Sequence, residues 1–483
     1  MSDARVERLL GDERVRAVGG ALGDADIAWV VGGTVRDALL ERPLTDIDLA
    51  VAGDPEAAAR RIANGIGGPV FRLSEEFGAW RALDAGRGFA CDVSPLQGGA
   101  IAADLARRDF TVNAMAVGLA DGELLDLHGG ATDAARGVLR VLGPDAYAAD
   151  PLRALRLARL ATELPLDPDP ETERLTRAAA PEVKRASGER VFAELRRIVV
   201  AGEVMAGVEL CDRLGLTAAV LPEVDALRGI EQSHFHHLDV HAHTTEVLRR
   251  YLELDQRLED LFGDLARPLR SVLAEPLADE MTRGQALRFA ALLHDIGKPP
   301  TRAVRSDGRV TFIGHDAVGE EMVSAVCRRL RASERLRAFL AAITRHHLVL
   351  GFLVHERPLS RRQVFRYLTA TTPVEVEVTA LSCADRLATR GRNADAAIDA
   401  HLDLARDLMR HGLAWRAEGP PRSPIRGDDL ARELALEPGP EIGRLLAELA
   451  EARFAGEIET REEAVALARR AGGGRSGPEP EGR

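Results

Sequence analysis

At 483 residues, with 46% apolar and 29% charged side chains, the chain has the composition of a soluble globular protein of about three domains. Its formal net charge of −12 argues against a generally basic nucleic-acid coat but leaves room for a local basic channel, because the distribution of charge decides. No apolar run approaches the roughly 20 residues of a membrane span, the charged start Met1-Ser2-Asp3-Ala4-Arg5 argues against secretion, and four scattered cysteines without a CxxC pair suit a reducing cytoplasm.

From Ile27 to about Leu142, short β-rich runs (Ala28 to Val31, Ile47 to Val51, Phe89 to Val93, Val112 to Val117) alternate with helical stretches such as Pro55 to Ile66. This pattern predicts a small α/β domain. Inside it, Val31-Gly32-Gly33-Thr34-Val35-Arg36-Asp37 is followed closely by Asp46-Ile47-Asp48. Side chains two apart on a strand share a face, so Asp46 and Asp48 project together while Ile47 enters the core. Hard cations such as Mg²⁺ bind through one or two carboxylates plus substrate phosphates. A glycine pair admits phosphate to the backbone, and Arg36 can neutralise it. Together these features predict a two-metal phosphoryl or nucleotidyl transfer site.

Arg107-Arg108-Asp109-Phe110-Thr111-Val112-Asn113 is the next dense motif, with charge and donors suited to a triphosphate and a ribose. Downstream, Asp150-Pro151 opens an arginine-rich amphipathic helix from Pro151 to Leu160, with Arg153, Arg156 and Arg159 along one face. Asp150 and Arg153 offer an acceptor and a forked donor that could read a base edge; Asp150 is equally suited to cap the helix. Glu189 to Val200 and Val204 to Leu214 also read as helices. Arg153, Arg156, Arg159, Arg174, Arg177, Lys184, Arg185, Arg190, Arg196 and Arg197 are expected to supply part of a basic face for RNA.

Beyond Pro222 the chain reads as helical, and all but two of its 13 histidines lie between His234 and His401. In Leu292-Leu293-His294-Asp295-Ile296-Gly297-Lys298, two metal-binding groups emerge from the apolar run Phe289 to Leu293. With His243, His315, His346-His347 and Asp385 they form an ordered N/O ligand set that suits Mn, Fe, Co, Ni or Zn and disfavours Ca. His234, His236, His237 and His241 are read as structural or phosphate-facing. Gly419-Pro420-Pro421 and Pro424 mark a linker, Gly427 to Arg470 a few short helices, and Gly472 to Arg483 a disordered end.

The segments GGTVRDALLERPLTDID, RRDFTVNAMAV and DPLRALRLAR, in this order, resemble the class II tRNA nucleotidyltransferase/poly(A) polymerase family, whose best-known members are the CCA-adding enzymes. LLHDIGK resembles the HD phosphohydrolase superfamily. The resemblance implies an α+β chain. It would comprise a polymerase-β-like nucleotidyltransferase head (1–150), an all-α neck and RNA-binding body (151–225), an all-α HD metal-dependent phosphohydrolase domain (226–415), a C-terminal helical region (416–470) and a disordered tail (471–483). Asp46 and Asp48 would hold Mg²⁺, and Asp92 would be the third carboxylate that activates the RNA 3′-hydroxyl. Gly32, Gly33, Arg36, Arg108, Asp109 and Asn113 would bind the nucleotide. Asp150 and Arg153 would select C or A, with Arg156 and Arg159 completing the pocket.

In the HD domain, His243, His294, Asp295 and Asp385 would be ligands of a transition metal or Mg²⁺. His315 and one histidine of the pair 346–347, assigned here to His346, would be the extra ligands of a two-metal member. The implied partners are tRNA, CTP and ATP, with no membrane and no DNA; the implied location is cytoplasmic. Two departures bear on activity: Ala149 stands where the family commonly has Glu, and the segment Val93 to Ala106 is short. The second leaves open CCA, CC-only or A-only addition. The rival readings are a poly(A) polymerase, a phosphohydrolase with an RNA-binding head, and a non-enzymatic RNA chaperone, which would need no carboxylate pair.

Overall fold

The computed structural model describes residues 4–22, 27–75, 78–86, 88–232, 238–390 and 394–473. His234, His236 and His237 and most of the expected disordered tail lie outside them. The chain forms two compact units, Met1–Val220 and Leu221–Arg483.

The first unit is built on a seven-stranded sheet of β1 (Ala28–Val31), β2 (Asp46–Val51), β3 (Val70–Ser74), β4 (Ala79–Leu83), β5 (Ala90–Pro95), β6 (Ala116–Gly118) and β7 (Leu124–Leu125), in the order β3-β4-β5-β2-β1-β6-β7. β2 and β5 run parallel and the other neighbours antiparallel. The helix Pro55–Ile66 forms where expected: Asp54 caps it by accepting from the Glu56 N–H at 2.9 Å, and Gly67 ends it in the left-handed region. Its Ala58, Ala59, Ile62 and Ala63 share a core with Ile47, Leu49, Val51, Ala82, Cys91 and Val93 from one face of the sheet. The other face carries a smaller cluster of Val31, Ala50, Leu105 and Ala116.

Two expectations in this unit change. The run Val112 to Val117 is not one strand: Thr111–Asn113 is a 3₁₀ turn, and β6 begins only at Ala116. Thr111 donates to the Asp133 carboxylate at 2.8 Å and Asn113 to Asp109 at 2.9 Å. The Asn113 and Ala114 N–H groups donate to the Phe110 and Thr111 carbonyls, both at 3.0 Å, so this backbone bonds to itself rather than to a ladder. The β3–β4 hairpin escaped the sequence reading. After the sheet, helices follow at Arg153–Glu163, Pro170–Ala179, Gly188–Val200 and Val204–Arg213. The first starts at Arg153 rather than Pro151, because Pro151 and Leu152 form a turn that Asp150 stabilises by accepting from the Leu152 N–H at 3.2 Å.

The second unit is helical, with main helices at Val240–Gln256, Arg283–Leu293, His315–Arg329, Glu334–His346, Glu375–Ala388 and Ala394–Glu418. Arg283–Leu293 is apolar almost all round because it is enclosed on all sides, with Ala286, Leu287 and Phe289 through Leu293 buried. A capping box of Thr282 and Gln285 fixes its start. After the 419–426 linker, three short helices (Gly427–Leu434, Pro440–Ala455, Arg461–Gly473) bury their own cluster around Leu430, Leu445, Leu449 and Ala464.

Contrary to expectation, one helical run, Glu334–Glu356, is long and apolar enough by length and composition alone to cross a membrane. It is interrupted by a turn at His347-Leu348, and its Leu336, Phe339, Leu340 and Ile343 are core residues of this unit.

Gly297 allows the turn after Asp295 to press against the helix His315–Arg329: an added Cβ would lie 2.1 Å from the His315 carbonyl oxygen and 2.7 Å from the Gly319 nitrogen. Both neighbours are backbone and cannot swing aside. Gly297→Ala should therefore destabilise the second unit by about 1–3 kcal/mol, the usual range for overpacking. The check is a lowered urea midpoint with an unchanged slope.

Candidate active sites

β2 carries Asp46 and Asp48 on the sheet face opposite the helix Pro55–Ile66, since the alternate residues Ile47, Leu49 and Val51 lie in the core shared with that helix. The parallel register sets Asp48 beside Asp92 of β5, so the three carboxylates share one patch. Burial and the neighbouring Asp92 charge push the Asp48 carboxyl up to about 6, against the pull of Arg108 and Arg36. Such a concentration of negative charge fits divalent-cation ligation. Asp92 is fixed by Arg81 of β4, whose Nε and Nη2 donate to its two oxygens at 2.7 and 2.8 Å.

On the other side of β2, Thr34 is buried and bridges the strand's backbone, donating to the Asp46 carbonyl at 3.2 Å and accepting from the Asp48 N–H at 2.8 Å. Gly32 has φ +64, and a Cβ there would meet Arg108 Nη1 at 2.6 Å. Glycine thus meets both the conformation and the space. Arg36 donates to Asp37 at 2.9 Å and to the Asn113 side chain at 2.7 Å. Arg108 is held by the buried Asp104 through bonds of 3.1 and 2.9 Å.

Apart from Arg81 and Asp104, these groups line a polar cleft of about 560 Å³ with Asp109, Arg153, Arg156 and Arg159. Thr34, Thr45 and Glu194 line it too and were missed as site residues in sequence, and Arg197, expected only on a basic RNA face, lines it as well. The 194/197 spacing on one helix face was the available signal for the last two.

The expected base-reading pair is arranged differently. Asp150 does not line the cleft; its Oδ2 accepts from Arg190 at 2.6 Å. Arg153 donates to the backbone carbonyls of Arg107 (2.8 Å) and Arg108 (3.0 Å). Arg156 bridges Asp109 and Glu194, both at 3.1 Å. Arg159 contacts Glu194 at 2.6 Å and donates to Glu163 at 3.2 Å, and Arg197 also holds Glu163. Burial works against the Asp109 charge, but Arg156, Asn113 and the Phe110 N–H outweigh it and keep its carboxyl below the ordinary value.

The expected basic face is also largely neutralised within the unit, since Arg174, Arg177, Arg185, Arg190 and Arg197 pair with Glu171, Glu173, Glu182, Asp150 and Glu163.

In the second unit, His243, His294, Asp295, His315 and His347 are all buried. Asp295 Oδ2 lies 3.2 Å from His294 Nε2 and 3.8 Å from His243 Nε2, and its Oδ1 lies 3.4 Å from His315 Nε2 and 3.7 Å from His347 Nε2. The structure thus makes two ligand triads, His243/His294/Asp295 and Asp295/His315/His347, that share one carboxylate. Asp385 stands 3.0 Å from His243 Nε2.

The Nδ1 atoms of His294, His315 and His347 contact the carbonyls of Ala291, Phe312 and Thr344 at 2.7–2.9 Å. A proton on Nδ1 satisfies each carbonyl and leaves Nε2 as a lone-pair donor, as metal ligation requires. Burial pushes His347 down to about 4, so it is neutral at pH 7. His294 Nε2 has no hydrogen-bond partner among the described residues, which fits a cation beside it.

The assignment of His346 is corrected: His347, at the turn that ends the helix, faces the cluster, while the preceding residue is only half-buried, about 100° round the helix. His241 lies outside the cluster, with Nδ1 3.4 Å from Arg228. A cavity of about 640 Å³ opens on the cluster, and Lys298, whose Nζ is 2.7 Å from Asp295 Oδ2, lines it together with Arg386 and His355.

Comparison with known proteins identifies the family of each part of the chain. The family model described as "Poly A polymerase head domain" matches residues 28–92 and 92–140, that described as "Probable RNA and SrmB- binding site of polymerase A" matches 166–227, and that described as "HD domain" matches 270–390. The A-adding tRNA nucleotidyltransferase of Deinococcus radiodurans is 36% identical over 450 residues, which are 92% of this chain and 95% of that protein. The CC-adding tRNA nucleotidyltransferase of Thermus thermophilus is 33% identical over 449 residues, 91% of this chain and 92% of that protein. A CCA-adding enzyme solved in complex with CTP superposes with a TM-score of 0.64 at 21% identity, over 98% of this chain and 99% of that one. The chain belongs to the tRNA nucleotidyltransferase/poly(A) polymerase family and carries an HD domain after its polymerase-type head.

Proposed function

We propose that the first unit adds C, A or both to the 3′ end of tRNA from CTP or ATP without a nucleic-acid template, and that the second unit is a metal-dependent phosphohydrolase acting on phosphoesters. The observation that carries the first part is the in-register patch Asp46, Asp48 and Asp92 beside the Gly32-Gly33 turn. Mg²⁺ held by Asp46 and Asp48 would supply charge neutralisation at the α-phosphoryl group.

The chain's own residues do the rest. Asp92, oriented by Arg81, accepts the proton of the RNA 3′-hydroxyl. Arg36 and Arg108, pinned by Asp37 and Asp104, take up the charge of the departing pyrophosphate together with the backbone amides of the glycine turn. Arg153, Arg156 and Arg159 border the nucleotide, and Asp150 joins them only when Arg190 releases it. Residues 151–225 hold the tRNA.

In the second unit the twin triads around Asp295 support two bound cations, a transition metal or Mg²⁺, which would supply Lewis acidity toward a phosphoester. Lys298 and Arg386 would receive the phosphate. Four buried free cysteines support a reducing, cytoplasmic setting.

The deciding experiment is single-nucleotide extension with Mg²⁺ and CTP or ATP on three tRNAs ending at the discriminator base, after C and after CC. Extension of all three is expected from a full CCA-adding enzyme; C only on the first two, or A only on the last, assigns a divided activity. No incorporation on any of them overturns the proposal.

Asp46→Ala should lower incorporation by at least about 10²-fold and leave phosphohydrolase activity intact. Asp295→Ala should do the reverse, and the two assays on each variant make the check. Because Asp48 titrates near 6, its proton competes with Mg²⁺ in acid. The Mg²⁺ concentration for half-maximal incorporation should rise about tenfold between pH 7 and pH 5. Elemental analysis should find that Asp295→Ala loses all metal from the second unit, whereas His347→Ala retains about half, because only Asp295 belongs to both triads.

A further inference from the structure

We propose that Phe71 is the platform on which the 3′-terminal base of the RNA acceptor stacks during nucleotidyl transfer. The inference rests on the transferase reading of the first unit and adds the subsite for the RNA end.

Pairing across the sheet sets Phe71 opposite Arg81, Arg81 opposite Asp92, and Asp92 opposite Asp48. Paired residues point to the same face, so these four form one row across β3, β4, β5 and β2. The alternate residues support this assignment. Val70 and Trp80 pack against the helix-covered core, and Arg72 lies over the Trp80 ring at 5.2 Å. At about 4.8 Å between strands, Phe71 stands roughly 10 Å from Asp92 and 14 Å from Asp48.

Direction follows from the groups around the carboxylates. The phosphate-holding groups Gly32, Gly33, Arg36 and Arg108 belong to the β1 side of β2, whereas β5, β4 and β3 lie on its other side. Attacking and leaving oxygens are in line across the transferred phosphorus. A triphosphate seated at the glycine turn therefore requires the RNA 3′-hydroxyl to approach from Asp92, along the row that ends at Phe71.

Phe71 is 45% and Leu73 43% exposed, and neither belongs to a core cluster. An exposed aromatic and a leucine on an edge strand are otherwise a liability for edge-to-edge association. Next to a phosphoryl-transfer site they suit a base, because every base presents a π-face and stacking tolerates any sequence. Arg81 spends Nε and Nη2 on Asp92, and its Nη1, which has no hydrogen-bond partner among the described residues, can meet the last phosphodiester.

The test is an RNA acceptor stem ending in 2-aminopurine, titrated with the full chain in the absence of nucleotide. The wild type should quench the fluorescence. Phe71→Ala should leave the probe bright and raise both Kd and KM for RNA by about 5- to 100-fold, the range for one base–aromatic stack, with KM for the nucleotide unchanged. Phe71→Trp should restore quenching and KM. Quenching that survives Phe71→Ala, a loss that tryptophan does not restore, or a KM rise confined to the nucleotide overturns the proposal. The first of these with a wild type that extends RNA refutes the platform alone; a wild type that extends no RNA refutes the transferase reading with it.

Discussion

The first unit is organised around electrostatic repulsion among carboxylates. Setting β2 parallel to β5 places Asp48 beside Asp92, with Asp46 two residues away, and the like charges must be offset locally. Arg81 holds Asp92 from β4, and Arg36 and Arg108 approach from the glycine turn and the segment after Leu105. Each of these arginines is itself fixed by a carboxylate: Asp92, Asp37 and Asp104. The patch is therefore rigid as well as charged, and a divalent cation entering it neutralises charge without requiring the ligands to reorganise.

The second unit meets the complementary problem. One buried carboxylate, Asp295, is surrounded by four imidazoles and Lys298. The backbone carbonyls behind His294, His315 and His347 decide which ring nitrogen is free, so the ligand set is oriented by helix ends rather than by further side chains. The last turn of a helix has unsatisfied carbonyls to offer, and His294 and His347 each cap such a turn, whereas His315 opens its helix and uses the loop carbonyl of Phe312.

What the sequence made legible was local periodicity and short-range chemistry: β1, the helix Pro55–Ile66, the Asp46/Asp48 pair and the buried helix that delivers His294 and Asp295. What escaped it depends on partners distant along the chain. Nothing near Asp150 announces that Arg190 will occupy it, and nothing near Glu163 announces Arg197. Adjacent histidines at a helix end cannot be ranked without knowing where the helix stops, which decides for His347. The β3–β4 hairpin was hidden because its outward residues, Phe71 and Leu73, are apolar and erase the alternation expected of a half-exposed strand. The basic face was overread because charge was counted without its acidic partners, Glu171, Glu173 and Glu182 one helical turn away and Asp150 and Glu163 far along the chain.

The relay Asp109–Arg156–Glu194–Arg159–Glu163–Arg197 alternates in sign along its whole length. In such an alternating string, removing an inner member takes a partner from a partly buried neighbour of opposite charge. Change at the cleft wall is therefore expected to proceed by reciprocal exchanges, an acid traded with a base on the facing helix. Descendants of this sequence would then drift in linked steps, and pairwise effects there would be strongly non-additive. The wall beside the nucleotide is accordingly a slow-moving part of the molecule in evolutionary time, whatever freedom the surface arginines enjoy.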